Sequence, residues 1–279
     1  MSVVKRSIEI LKSNQAETGA FVASPTFEPY QYCWFRDGAY TAHALDLWGE
    51  HECAGRFFKW SCEVILDRQA RIRRSIQAAR AVEPVRYDLV LHARYTLTGE
   101  EVTDVPWANF QLDGLGTWLW ALSEHLQNRD DHPIEYDRAA ALVFDYLLAM
   151  WTIPCFDIWE ENDQSLHTYT LASIWGGLRA WVEQSDNGEG LIVDQIRQFV
   201  LRNGLVEGAF VRSLDDPGID ASLLGLGLPA RLLPLDDDRM VRTVERIEDQ
   251  LRRENGVHRN MEDSYYGGGA WLLLSAWLA

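Results

Sequence analysis

The chain has 279 residues, 47% of them hydrophobic, and a formal charge of −16. That length can bury roughly three quarters of the unfolded surface, most simply in one large domain, and the acidic balance excludes a phosphate-rich partner such as nucleic acid, whose affinity rests on clustered Lys and Arg. No run reaches the roughly eighteen apolar residues that span a membrane, and the start MSVVKRSIEILKSNQAETG lacks the apolar core and cleavage site of a leader, so a soluble, cytoplasmic protein is expected.

Helical periodicity dominates. Candidate helices run over about 3–13, 38–49, 52–82 and 137–152, then 190–203, 219–231 and 268–279. Stripes at helical spacing mark three more core helices: Leu112, Leu115, Leu119, Leu122 and Leu126; Leu171, Ile174, Trp175, Leu178 and Trp181; and Met240, Val241, Val244, Ile247 and Leu251 behind cap candidates at 236–238. Strand-like alternation is confined to short pieces such as 85–98, so the class is all-α with irregular loops.

The four cysteines, Cys33, Cys53, Cys62 and Cys155, form no CxxC pair and have no His at ligand spacing. Neither a metal site nor a disulfide framework is indicated, and no cofactor motif is present: GLGLP at 225–229 lacks the strand context of a phosphate loop. Twelve Trp, ten Tyr and ten Phe supply many flat rings, which serve either as core filling or as stacking platforms for sugars.

Five loop clusters mix aromatic and ionisable residues, at 30–37, 107–113, 156–163, 215–220 and 258–271, each before an apolar helix. About one helix pair separates successive clusters, the order of an α/α toroid whose loops gather at one face. Such a toroid closes with six hairpins, whereas five clusters are visible and the chain stops at GGAWLLLSAWLA within an apolar helix. The expectation is therefore an (α/α)6 barrel, a six-hairpin toroid, incomplete and lacking about its last hairpin, with 1–279 a single domain.

Within FDIWEEND, Glu160 and Glu161 admit two readings. Carboxylates at a helix entrance are favoured by the helix dipole. Alternatively, Phe156, Ile158 and Trp159 desolvate Glu160 and raise its pKa toward that of a general acid, while Glu161, pointing elsewhere, plays a second part. Arg36 and Asp37 admit an ordinary ion pair or a clamp on sugar hydroxyls beside Tyr30, Tyr32 and Trp34.

The motifs YCWFRDG, WANFQLDG, FDIWEEN with HTYT, DASLLGLGLP and HRNMEDSYYGGGAW, in this order over most of the chain, resemble the family 15 glycoside hydrolases, the glucoamylase family with isomaltose- and trehalose-hydrolysing members. The resemblance implies the (α/α)6 barrel and an inverting, exo-acting hydrolase releasing glucose from α-glucosides or short α-glucans such as maltose, isomaltose or trehalose, without a cofactor. It implies Glu160 as general acid, with Glu161 holding sugar on the leaving-group side and Trp159 beside them. Arg36 and Asp37 would clamp the terminal glucose, Tyr30 and Trp34 would line its pocket, Trp107 would pack over substrate, and Arg259 would stand near the subsite boundary. Asp113, Glu262, Asp263 and Trp271 lie in family-like motifs without an implied contact. The family's general base lies in a loop beyond residue 279, and the N-terminal β-sandwich of many bacterial members is not seen. The 279-residue chain alone is thus expected to be inactive and its full-length parent active. The alternative is a non-catalytic carbohydrate-sensing or regulatory domain on the same scaffold.

Overall fold

The computed structural model describes residues 2–127, 132–185 and 189–279. Its contacts divide the chain into two compact units, Met1–Trp151 with Gly177–Gly188, and Thr152–Gly176 with Glu189–Ala279.

The first unit carries helices α1 (Val3–Ser13), α2 (Phe35–Leu47), α3 (His51–Asp67), α4 (Gln69–Arg80), α5 (Leu112–Leu126) and α6 (Ile134–Met150). α2 packs on α3 and α5, and α6 packs on α3, α4 and α5. All five leucines of the α5 stripe are buried, as is every other residue of that helix except Glu124; a helix apolar on all sides is a core helix. Its Trp118 indole donates to Ser61 Oγ on α3 at 2.8 Å, which satisfies the one polar atom of a fully buried ring. The C-terminal half of α7 (Thr168–Ser185) also belongs to this unit. A Cβ on its Gly177 would stand 2.2 Å from the Gly116 carbonyl oxygen of α5, so the two helices cross backbone to backbone.

The helix predicted over 52–82 is in fact two. The chain turns at Arg68 (φ −102°, ψ 9°), whose guanidinium donates to the Val64 and Gly99 carbonyls at 2.8 and 2.7 Å and to Glu101 at 3.0 Å. Hydrogen bonds to a charged group, worth about 1.5–3 kcal/mol each, outweigh a lost helical turn. The alternation at 85–98 reduces to strand β2 (Arg94–Tyr95), antiparallel to β1 (Cys33–Trp34) with Trp34 opposite Arg94.

The second unit holds the N-terminal half of α7, α8 (Gly190–Asn203), α9 (Asp238–Leu251) and α10 (Leu272–Leu278), with hairpins β3 (Leu205–Val206)/β4 (Ala209–Phe210) and β5 (Arg252–Arg253)/β6 (Gly256–Val257). Asp237 caps α9, its carboxylate accepting the Arg239 N–H at 3.0 Å. Val241 is exposed and Thr243 is buried in its place. The Thr243 hydroxyl donates to the Arg239 carbonyl at 2.7 Å and accepts the Phe210 N–H at 2.8 Å, so a polar residue holds a core position fully satisfied.

The helix predicted over 219–231 is only a 3-10 helix, Ala221–Leu226. Pro229 supplies no N–H and disfavours helical backbone at Leu228, and a Cβ on Gly225 would stand 2.5 Å from the Tyr169 ring, so packing demands glycine there. The helix predicted from 268 starts at Leu272, because Gly267 and Gly268 have φ of 87° and 72°.

Candidate active site

In the first unit, β1 and the first turn of α2 place Trp34, Arg36 and Asp37, with Trp34 at the N-cap. Tyr30 closes the preceding 3-10 turn, Glu28–Tyr30. The rings of Tyr30, Trp34 and Trp107 form a triangle with centroids 5.6, 5.8 and 6.2 Å apart. The sequence-predicted aromatic residues of this unit are thus in mutual contact.

Arg94, absent from the sequence reading, organises them. Its guanidinium lies 3.9 Å from the Trp107 ring centroid, 4.7 Å from Tyr32 and 5.6 Å from Trp34. Buried cation–π contacts of this kind contribute about 2 kcal/mol. The Trp107 Nε1 is buried without a protein acceptor among the described residues.

Arg36 is tied to Asp113 Oδ2 at 2.9 Å and Gln111 Oε1 at 2.8 Å through Nη1. The Arg36 side chain is 12% exposed and that of Asp113 is fully buried. Asp113 therefore orients the arginine from within, and Asp37 is exposed on the same helical turn. The WANFQLDG motif supplies both a platform, Trp107, and the two anchors of Arg36.

In the second unit, 156–163 is a loop and α7 begins only at Thr168, so Glu160 and Glu161 do not stand at a helix entrance and the dipole reading falls. Asp157 builds the turn. Its Oδ1 accepts the N–H groups of Trp159 and Glu161, each at 2.9 Å, its carbonyl accepts the Glu160 N–H at 2.9 Å, and its own N–H donates to the Glu161 carbonyl at 3.0 Å. Glu160 is thereby held at φ +67° and Asn162 at φ +45°. A left-handed Glu costs roughly 1–3 kcal/mol and persists only where its surroundings over-determine it.

The Glu161 carboxylate lies 3.3 Å from Arg259 Nη2, whose second partner is Asp263 at 2.5 Å. Arg259, 3% exposed, is enclosed by the rings of Trp159, Tyr265 and Trp271 at 5.4, 5.0 and 5.4 Å. Burial acts to raise the Asp263 pKa, but the Arg259 hydrogen bond and the Tyr265 N–H outweigh it and hold the carboxylate below its ordinary range. Glu262, in the same motif, is exposed, and its N–H donates to Asn260 Oδ1 at 3.0 Å.

Asp157 is the carboxyl in this loop that burial pushes up, to about 7, against the lowering hydrogen bond from the Glu161 N–H and with help from the charge of Asp220. Asp220 is pushed up as well, by burial, and accepts Trp159 Nε1 on both carboxylate oxygens at 3.0 Å. Neither aspartate was singled out from the sequence, where an Asp in a loop looks like any other.

Among the described residues no His, Cys, Asp and Glu cluster could hold a metal ion, and no helix is long and apolar enough to cross a membrane. In the first unit, contacting aromatic rings beside a fixed arginine suit a neutral polyhydroxyl ligand; in the second, so does a carboxylate paired with a ring-enclosed arginine.

Comparison with known proteins agrees. The family model described as "Glycosyl hydrolases family 15" matches residues 1–279. The chain is 34% identical to an isomaltose glucohydrolase of Kribbella flavida over 99% of its own length and 74% of that protein's. It is 26% identical to a trehalase of Mycolicibacterium smegmatis, covering 99% of this chain and 46% of the trehalase. A solved wild-type glycosidase, 34% identical, matches with a TM-score of 0.91 over 99% of this chain and 76% of its own. The all-α class expected from the sequence holds, and this likeness is consistent with the expected (α/α)6 barrel. The chain belongs to the family 15 glycosyl hydrolases and is a glycoside hydrolase.

Proposed function

We propose that the protein is an inverting, exo-acting α-glucosidase that releases glucose from the non-reducing end of a small α-glucoside or short α-glucan, with 1–279 as one catalytic domain. The observation that carries this reading is the Asp157 turn, which fixes Glu160 in a left-handed conformation while assigning Glu161 to Arg259. Two adjacent carboxylates so divided serve two tasks. Glu160 gives its proton to the glycosidic oxygen as positive charge develops at the anomeric carbon, and a water attacks from the opposite face. Inversion sets the second carboxylate roughly 6.5–9.5 Å from the acid, and no residue of 1–279 is assigned to that part. Glu161, Trp159 and Arg259 hold the leaving-group sugar.

Arg36 and Asp37 take the hydroxyls of the terminal glucose, Tyr30 and Trp34 line its pocket, and Trp107 covers it. The unpartnered Trp107 N–H supports this, since a sugar oxygen would satisfy a buried donor that otherwise costs about 1–3 kcal/mol. The names of the relatives, an isomaltose glucohydrolase and trehalases, support a disaccharide-sized substrate. A cytoplasmic location completes the proposal, supported by four free cysteines that suit a reducing compartment.

The test is glucose release by the complete gene product from isomaltose, maltose, trehalose and soluble starch, with the anomer followed by NMR. Release of β-glucose from at least one disaccharide is expected. A folded protein that releases none overturns the enzyme reading in favour of a carbohydrate-sensing domain, and α-glucose as the first anomer freed from the non-reducing end of soluble starch overturns inversion.

A further inference from the structure

We infer that Asp220 is a positioning residue for proton transfer, acting through the Trp159 indole N–H to hold Glu160 in its left-handed backbone conformation. The inference rests on the reading of Glu160 as general acid.

Glu160 is strained at φ +67° and immediately follows Trp159. Trp159 is pinned at two points. Its main-chain N–H goes to Asp157 Oδ1 at 2.9 Å, and its ring N–H goes to both oxygens of Asp220 at 3.0 Å. The first bond lies within the turn and moves with it. The second reaches 61 residues along the chain to a carboxylate that is 1% exposed, so it is the anchor that ties the turn to a rigid part of the unit.

That anchor is itself fixed. Asp220 Oδ1 also accepts the Ser222 N–H at 2.8 Å and so caps the 3-10 helix Ala221–Leu226, whose every residue is buried. The next N–H, of Ala221, donates to the Arg259 carbonyl at 2.8 Å. Asp220 therefore joins the acid's turn and the start of the Arg259 loop to one capped, buried segment. A buried carboxyl has no reason to be here for packing: an apolar residue would fill the space without desolvation cost, but could not hold an indole N–H. The charged and titratable groups nearest Asp220 are Arg212, whose Nε lies 3.7 Å from Oδ2, and Asp157. Arg212 leaves the cap and the indole as the closer partners.

The expected consequence is a loss of kcat that exceeds any change of KM, because Arg36 and Asp37, assigned to the terminal glucose, do not depend on this anchor while the proton donor is misplaced. Misplacement by about 1 Å can lower the rate about 100-fold. The experiment uses the complete gene product on isomaltose, with Asp220→Asn, Asp220→Ala, Trp159→Phe and the Asp220→Ala/Trp159→Phe double variant, and Glu160→Gln alongside. The inference expects Asp220→Ala to lower kcat about 100-fold with KM within threefold. Trp159→Phe should lower kcat at least tenfold, the double variant should be no slower than the worse single one, and Asp220→Asn, which retains an acceptor oxygen, should recover most of the rate. Independent, multiplicative losses in the double variant overturn it, as does a KM effect without a kcat effect. If Asp220→Ala does not fold, Trp159→Phe and Asp220→Asn carry the test: a Trp159→Phe enzyme at wild-type kcat, or Asp220→Asn slower than Trp159→Phe, overturns it. A Glu160→Gln enzyme that keeps its activity removes the general-acid reading itself, and is thereby told apart from additivity at Asp220.

Discussion

Replacing Asp157 by Asn should stabilise the protein, and by an amount that depends on pH. Asp157 is 4% exposed, and burial with the Asp220 charge lifts its pKa from 3.8 to about 7. The unfolded chain therefore loses this proton near pH 4 and the folded one keeps it to about pH 7. Across that window the folded state binds the extra proton, so stability falls as pH rises, by about 1.4 kcal/mol per pH unit at most. The accumulated penalty above pH 7 is at most about 4 kcal/mol. Asn retains the Oδ1 that accepts the Trp159 and Glu161 N–H groups and carries no proton to lose. Urea unfolding of both proteins at pH 4, 5, 6, 7 and 8 reads the difference directly from the midpoints at equal slope. The variant should match the wild type near pH 4, gain steadily to pH 7 and level off above it. A difference that is constant with pH would refute the reasoning, because the buried carboxyl would then be ionised in both states.

Asp113→Ala should destabilise the first unit by about 3–5 kcal/mol, since it removes the buried carboxylate paired with a largely buried Arg36; a thermal melt checks this, and a loss under 1 kcal/mol would mean that water takes over the pairing. Gly177→Ala should cost about 1–3 kcal/mol through the close approach to the Gly116 carbonyl, with KM for disaccharide unchanged. An unchanged melting temperature would show that α5 and α7 can separate without penalty.

The core was legible in the sequence where apolar residues alone decide it. The α5 leucines and the Leu171–Trp181 stripe fill the interior as their spacing predicts. Legibility failed where a polar residue does the packing: Thr243 occupies the place given to Val241 because two hydrogen bonds satisfy its hydroxyl. It failed again where a side chain ends an element, as Arg68 does between α3 and α4. The segment 219–231 reads as a helix because its residues are mostly apolar, yet Pro229 and the contact of Gly225 with Tyr169 limit it to one 3-10 helix.

At the candidate site the motif residues were visible because aromatic and charged residues cluster in sequence. The contacts that support them were not visible, because each joins distant segments. Arg94 reaches Trp107 from β2, Asp113 reaches Arg36 across 77 positions, and Asp220 reaches Trp159 across 61. Desolvation was expected of Glu160, whereas the carboxyl in FDIWEEND that burial pushes up is Asp157, and its effect is to build the turn on which Glu160 sits.

The central claim is that Glu160 protonates the leaving oxygen, and leaving-group dependence tests it most directly. Glu160→Gln and wild-type complete gene products are compared on isomaltose, whose alkoxide leaves only with a proton, and on α-glucosyl fluoride, whose fluoride needs far less assistance. General acid catalysis contributes typically 10²–10⁴-fold, so kcat/KM on isomaltose should fall by about 10³ or more while the fluoride loses about tenfold or less. Equal losses on both substrates, or a Glu160→Gln enzyme that still hydrolyses isomaltose at the wild-type rate, would contradict the account.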